Sequence, residues 1–141
     1  MILCDVNVLL YAFRKDAADH EQYRAWLEEV VNGDGAYGVS SQVLSAVIRL
    51  STHPRVFVQP SRLDEAFAFA RVLLEQPNCV AVNPGPRHWD VFMRLCTEAN
   101  ATGNLVPDAW FAAMAIESGC EWITTDRDYA RFKGLRWRPP F

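Results

Sequence analysis

Three aspartates, Asp5, Asp108 and Asp126, occupy places where a carboxylate can do chemistry. Asp5 ends the apolar run Met1-Ile2-Leu3-Cys4, and Asp126 ends a later run, Cys120-Glu121-Trp122-Ile123-Thr124-Thr125. Asp108 follows Pro107 at the opening of an alanine-rich stretch. An uninterrupted apolar run reads as a strand buried on both faces in a parallel sheet. The ligand crevice of such a sheet lies at the carboxyl ends of its strands. If the two strands are near neighbours, all three acids meet at one rim. Close carboxylates repel one another, and a hard divalent cation relieves that repulsion. Mg²⁺ accepts oxygen ligands, keeps several waters and usually takes few protein carboxylates. Such an ion can activate a water and clamp a phosphate. Singly, each aspartate also suits a turn or a helix cap. The joint placement is what favours a shared site.

The elements that must position these acids read as strands alternating with helices. After Asn7 the apolar residues Val8 to Ala12 suit a strand-to-helix turn. A helix opens at Asp19-His20-Glu21, with Asp16 or Asp19 as cap, and buries Tyr23, Trp26, Leu27, Val30 and Val31 along one stripe. Asn32-Gly33-Asp34-Gly35 stops it, and a strand follows around residues 36–39. Ser40-Ser41 cap a second helix running to about Ser51, with Val43, Leu44, Val47 and Ile48 inward. A third begins at Ser61 with a capping-box-like Asp64 and an apolar side of Leu63, Phe67, Ala70, Leu73 and Leu74. Residues 79–82 read as a strand. The helix from Arg87 to about Ala101 turns Trp89, Phe92, Met93 and Cys96 inward. Pro107 suits the first turn of a fifth helix that Gly119 terminates. Leu135 to Trp137 adds a last short strand. The alternation predicts an α/β fold with a central, mostly parallel sheet flanked by helices.

At 141 residues the chain is expected to form a single domain, residues 1–141. Half of its residues are hydrophobic, yet no run approaches the ~18 apolar residues of a membrane span. The N-terminus has no basic stretch leading into a long apolar one, so a cytoplasmic protein is expected. Cys4, Cys79, Cys96 and Cys120 form no Cys-x-x-Cys pair and read as buried thiols. The net charge of −3 does not advertise nucleic-acid binding, but the charge is unevenly spread. Residues 127–141 carry Arg127, Arg131, Lys133, Arg136 and Arg138 against the single acid Asp128. A basic segment beside an acidic site can hold phosphate; charge alone favours the plainer reading, a solvated C-terminal face.

Three segments together resemble the PIN domain: Asp5-Val6-Asn7-Val8-Leu9-Leu10-Tyr11, Pro107-Asp108-Ala109-Trp110 with its alanine-rich continuation to Gly119, and Thr124-Thr125-Asp126-Arg127-Asp128-Tyr129. The stretch from Val43 to Phe57, containing Thr52-His53-Pro54-Arg55, resembles the mycobacterial-style VapC toxins of toxin–antitoxin pairs. The resemblance spans essentially the whole chain and implies an α/β, PIN-like three-layer sandwich. It implies an endoribonuclease dependent on Mg²⁺ or Mn²⁺, directed at tRNA or another structured RNA, with a VapB-like antitoxin partner and a homodimeric state. It implies that Asp5, Asp108 and Asp126 bind the metal. Asn7, Thr125 and Asp128 would stand behind them, orienting ligands or a water. Arg127 and Arg131 are candidates for RNA phosphate on charge alone.

One departure from the family pattern matters. PIN nucleases usually carry a glutamate on the second helix of this reading, where this chain has Ala46. A methyl group binds no metal, and Gln42, Ser45 and Arg49 do not replace a carboxylate. One firmly bound ion is therefore expected, or weak metal affinity until RNA phosphate supplies ligands. Ala46 also keeps open a module that binds RNA or antitoxin without cutting. A phosphatase of the haloacid dehalogenase type shares the aspartate after the first strand but needs a second two residues on, where Asn7 stands. His20, His53 and His88 share no ligand spacing. Trp137, between Arg136 and Arg138, is the one aromatic considered for base stacking.

Overall fold

The computed structural model describes residues 1–141. Five short strands, β1 (Ile2–Cys4), β2 (Tyr37–Val39), β3 (Cys79–Ala81), β4 (Glu121–Ile123) and β5 (Trp137–Arg138), form one sheet in the order β3-β2-β1-β4-β5. Every neighbouring pair is parallel. Six helices flank the sheet: α1 (Val6–Phe13), α2 (His20–Asn32), α3 (Ser41–Ser51), α4 (Leu63–Leu74), α5 (His88–Ala99) and α6 (Leu105–Ser118). This is the expected sandwich. No helix is long and apolar enough to cross a membrane. All four cysteines are free thiols.

The strand order fixes where a ligand can go. The chain winds outward from β1 to β2 and β3, then returns past them to place β4 and β5 on the other side of β1. The order therefore reverses between β1 and β4. In open α/β sheets that reversal opens a crevice at the carboxyl ends of the strands. Here Cys4 pairs with Ile123, so the next residues out, Asp5 and Thr124, lie side by side. The Asp5 amide donates to the Ile123 carbonyl at 2.9 Å and keeps the pairing tight to the rim.

α6 lies at the centre of the packing. Ala109, Ala112, Ala113, Met114 and Ala115 are all fully buried, and small side chains let this helix approach the sheet closely. Gly119, at φ +71°, ends it in the left-handed conformation that glycine adopts without Cβ strain. Ser40 caps α3 through a 3.5 Å contact from the Val43 amide.

Several expectations fail for tertiary reasons. Asp19 precedes α2 but makes no side-chain cap, and Asp16 is drawn instead to Arg14. Arg14 is buried, lies over the Phe57 ring at 4.0 Å and donates to the Ser61 hydroxyl at 2.9 Å. That contact takes the hydroxyl expected to cap α4, which starts two residues later with no side-chain cap. Leu63, Phe67 and Leu74, expected inward, are exposed, because α4 buries Ala66, Ala70 and Leu73. Trp89 and Met93 of α5 are also exposed; that helix buries His88 and Leu95. Trp89, Phe92 and Trp110 instead gather around His88, whose ring N–H donates to the Trp110 carbonyl. Val6 to Phe13 is helical throughout, so Asn7 sits in the first turn of α1.

Candidate active site at the strand reversal

The rim begins with Asp5, which is only 6% exposed. It is the N-cap of α1, and its Oδ1 accepts the Val6 amide at 2.7 Å. Its Oδ2 accepts the hydroxyl of Thr124 at 2.6 Å. The capping role and a chemical one are therefore compatible: each oxygen uses one lone pair and keeps another. Thr124 is fully buried, and its Oγ1 also accepts the Asp126 amide at 3.0 Å and the Asn7 Nδ2 at 3.5 Å. One hydroxyl thus joins two of the acids to Asn7.

Asp126 stands just beyond β4 and caps the 3₁₀ turn Arg127–Arg131, its Oδ1 accepting the Asp128 amide at 2.9 Å. Asp108, in the first turn of α6, reaches the same region. The buried Tyr129 of the 3₁₀ turn donates its phenol to Asp108 Oδ1 at 3.4 Å. Burial pushes the Asp5 carboxyl up to about 6; the charges of Asp108 and Asp126 push the same way, against the Thr124 and Val6 hydrogen bonds. Burial, and then the charge of Asp126, also raises Asp108. The three acids therefore sense one another.

They do not form a ready cage. No three His, Cys, Asp or Glu side chains stand close enough to hold a metal by themselves. Each Asp5 oxygen already accepts one protein hydrogen bond, and Asp126 Oδ1 accepts the Asp128 amide of its own 3₁₀ turn. The donor chemistry still fits a hard cation. Carboxylate oxygens line the rim, and Asn7 Oδ1 is buried with no hydrogen-bond partner, an acceptor left over beside Thr124. Mg²⁺ commonly takes one or two carboxylates and completes its shell with water and substrate phosphate. That is the coordination this rim can offer.

The other expected residues divide. Thr125 is exposed, and the hydroxyl that touches Asp5 belongs to Thr124. The strand register carries the signal that identifies Thr124, since the residue after Ile123 must lie beside the residue after Cys4. Tyr129 was visible only as part of a motif. Asp128 supplies its amide to Asp126, while its exposed carboxylate lies 3.8 Å from Arg131. Arg127 is exposed and makes no ion pair or side-chain hydrogen bond. Trp137 lies half-buried in β5, paired in register with Trp122. On α3, Gln42 Oε1 accepts the Trp110 Nε1–H at 2.7 Å, and Ala46 is half-buried. A groove of about 570 Å³ lies elsewhere, between α1, α2 and α4.

Comparison with known proteins places this geometry. Residues 2–135 match the family described as PIN domain. The chain is 43% identical over 141 residues to Ribonuclease VapC31 of Mycobacterium tuberculosis, covering 99% of both chains. It is 41% identical over 140 residues to VapC ribonuclease Mb2897 of Mycobacterium bovis, covering 99% of this chain and 95% of the relative. Among solved structures it resembles VapBC2 from Rickettsia felis bound to a DNA fragment from their promoter, with a TM-score of 0.71 at 19% identity, covering 99% and 98% of the two chains. It also resembles Mycobacterium tuberculosis VapC20, titled a sarcin-ricin loop cleaving toxin, with a TM-score of 0.63 at 16% identity, covering 96% and 99%.

Proposed function

The chain belongs to the PIN-domain family, and from that premise we propose that it is a metal-dependent endoribonuclease, the toxin of a type II toxin–antitoxin pair. The substrate class is tRNA or another structured RNA, and the reaction is hydrolysis of a phosphodiester. The observation that carries the reading is the meeting of Asp5 and Asp126 at the strand reversal, with Asp108 brought to them by α6. The near-full-length VapC ribonuclease relatives support it.

In this reading Asp5, Asp108 and Asp126 offer oxygens to Mg²⁺, or Mn²⁺ in its place. The bound ion supplies Lewis-acid activation of a water and charge neutralisation at the phosphate. Thr124 holds Asp5 in place through its hydroxyl, and Asn7, whose Nδ2 donates to the same hydroxyl, keeps a buried oxygen without a partner. Asp128 steadies Asp126 through its backbone. Arg127 and Arg131 supply positive charge for the RNA backbone near the acids. A VapB-like antitoxin is the expected inhibitor, and the groove between α1, α2 and α4 offers it an apolar floor of Phe13, Leu27, Val31 and Phe69. A cytoplasmic homodimer completes the reading. Ala46 and the absence of a ready cage favour a second reading, a PIN module that binds RNA or antitoxin without cutting.

Cleavage of a mixed tRNA pool with Mg²⁺, and with EDTA in its place, tests the proposal. Cutting that needs Mg²⁺ and disappears in Asp5→Asn is expected. Equal cutting under both conditions overturns the metal mechanism. Tight RNA binding without cutting at any Mg²⁺ concentration supports the second reading.

A further inference from the structure

We propose that Tyr129 is a positioning residue, whose buried phenol holds the Asp108 carboxylate in the orientation that lets it serve with Asp5 and Asp126. The inference rests on the metal-dependent reading above and assigns a job to a residue which that reading leaves unused.

Asp108 and Asp126 come from different elements, α6 and the segment after β4. Something must set the distance between their carboxylates. The 3₁₀ turn Arg127–Arg131 joins them. At one end Asp126 Oδ1 accepts the Asp128 amide, so Asp126 is locked to the first residues of the turn. At the middle of the turn Tyr129, 1% exposed, donates its hydroxyl to Asp108 Oδ1 at 3.4 Å. The ring is fixed on two sides, by Trp122 of β4 with centroids 5.5 Å apart and by Phe132 at 5.8 Å. A hydroxyl on a ring held this firmly has one place to point. Asp108 is its only hydrogen-bond partner, and a buried phenol needs one.

The chemistry suits the role. A phenol donates one proton and occupies one lone pair of Asp108 Oδ1. Oδ2 remains uncommitted and directed by the bond its partner oxygen makes. Hydrogen-bond partners behind metal-binding carboxylates orient them in this way. The arrangement also keeps Asp108 from swinging away from Asp126 when their charges repel. Of the three acids, Asp5 has two protein donors and Asp126 has a backbone donor; Asp108 has only Tyr129.

The test separates the hydroxyl from the ring. Tyr129→Phe keeps the packing against Trp122 and Phe132 and deletes only the donor. Mn²⁺ binding to the purified protein is measured by calorimetry or electron paramagnetic resonance, beside thermal unfolding and RNA cleavage. Wild type is expected to bind Mn²⁺. Tyr129→Phe should bind it about tenfold more weakly, the scale of loss when a supporting partner of a metal ligand is removed, with cooperative unfolding retained. Raising Mn²⁺ should restore much of its cleavage. Asp108→Asn combined with Tyr129→Phe should show no further loss from the tyrosine change. Unchanged Mn²⁺ affinity in Tyr129→Phe overturns the positioning role while leaving the nuclease reading intact. A wild type that neither binds Mn²⁺ nor cuts RNA overturns both. If Tyr129→Phe is unstable, the same titration is run in the cold with sucrose present, which favours the folded state; Mn²⁺ affinity equal to wild type there overturns the proposal.

Discussion

The two flanks of the acidic rim are built to different standards. On the β4 flank, hydrogen bonds join Asp5, Thr124 and Asp126, Tyr129 reaches on to Asp108, and Asp5, Thr124 and Tyr129 are all buried. On the α3 flank, Ala46 offers only a methyl group and Gln42 is occupied by Trp110. Between them, Asn7 keeps a buried oxygen with no partner. A hydrogen-bonded network in a low-dielectric site costs little to reorganise when charge arrives. An unfilled flank must be completed by what binds. The difference teaches that this rim is preorganised by hydrogen bonds on one side and left without a carboxylate on the other.

The largest effect should follow from breaking the built flank at its centre. Asp5→Asn should lower RNA cleavage on the order of a thousandfold, as loss of a central electrostatic group does. The same change should stabilise the metal-free protein near neutral pH. The folded Asp5 carboxyl titrates at about 6, above its ordinary 3.8, so the folded state binds the proton more tightly than the unfolded chain. Its contribution is full below pH 3.8 and is lost as pH rises through 6. The span corresponds to at most about 3 kcal/mol. Urea unfolding of both proteins in EDTA should show wild type losing ground to Asp5→Asn as pH rises through that window. A constant difference between pH 3.5 and 7.5, both approximate settings outside the window, would contradict a carboxylate raised by burial.

A smaller effect belongs to the two adjacent threonines. Thr124→Val deletes the hydroxyl shared by Asp5, Asp126 and Asn7, and should cost about 1–3 kcal/mol of stability and about 10–100-fold in cleavage. Thr125→Val, at an exposed side chain, should stay within about 0.5 kcal/mol of wild type. Kinetics and unfolding of the pair compare neighbours in sequence that face different surroundings. Similar losses in both would place the shared hydroxyl elsewhere.

That pair also shows what was legible in the sequence. An apolar run ending in aspartate disclosed both β1 and β4, and parallel pairing followed from the alternation of strands and helices. Asp5, Asp108 and Asp126 were all readable, as were the Ser40 cap and the Gly119 stop, because each is a local event. Choosing Thr124 over Thr125 needed the register of two strands 119 residues apart in chain position, which no local pattern encodes. The faces of α4 and α5 were misread because both helices carry apolar residues on more than one side. Periodicity then offers several stripes, and packing selects Ala66, Ala70 and Leu73 over Leu63 and Phe67. Ser61 was misread because a distant buried arginine claimed its hydroxyl. The missing acid at Ala46 was visible at once, but the partnerless Asn7 oxygen emerged only with three dimensions.

The unfilled flank can be tested by filling it. Ala46→Glu, at a half-buried position, should tighten Mn²⁺ binding on the order of tenfold by adding one carboxylate ligand. Calorimetry gives both affinity and stoichiometry. Affinity equal to wild type would show that α3 does not face the ion.

The smallest effect should come from the basic side chains beside the built flank. Arg127 makes no ion pair, whereas Arg131 shares an exposed contact with Asp128 at 3.8 Å, i to i+3 on the turn. An exposed pair of this kind holds little energy, yet it partly cancels the charge that Arg131 presents to RNA. Each phosphate neutralised steepens the dependence of log K on log salt by about 0.7 for a single strand and about 0.9 for duplex DNA. Arg127→Ala should therefore reduce the salt slope of RNA binding by close to one such unit. Arg131→Ala should reduce it by less, and Asp128→Asn should raise RNA affinity by freeing Arg131. Cleavage at saturating RNA should barely move in the arginine variants, because neither side chain touches the acids. Binding isotherms over a salt series check this, and a larger slope change at Arg131 than at Arg127 would show that the RNA backbone runs along the far side of the turn.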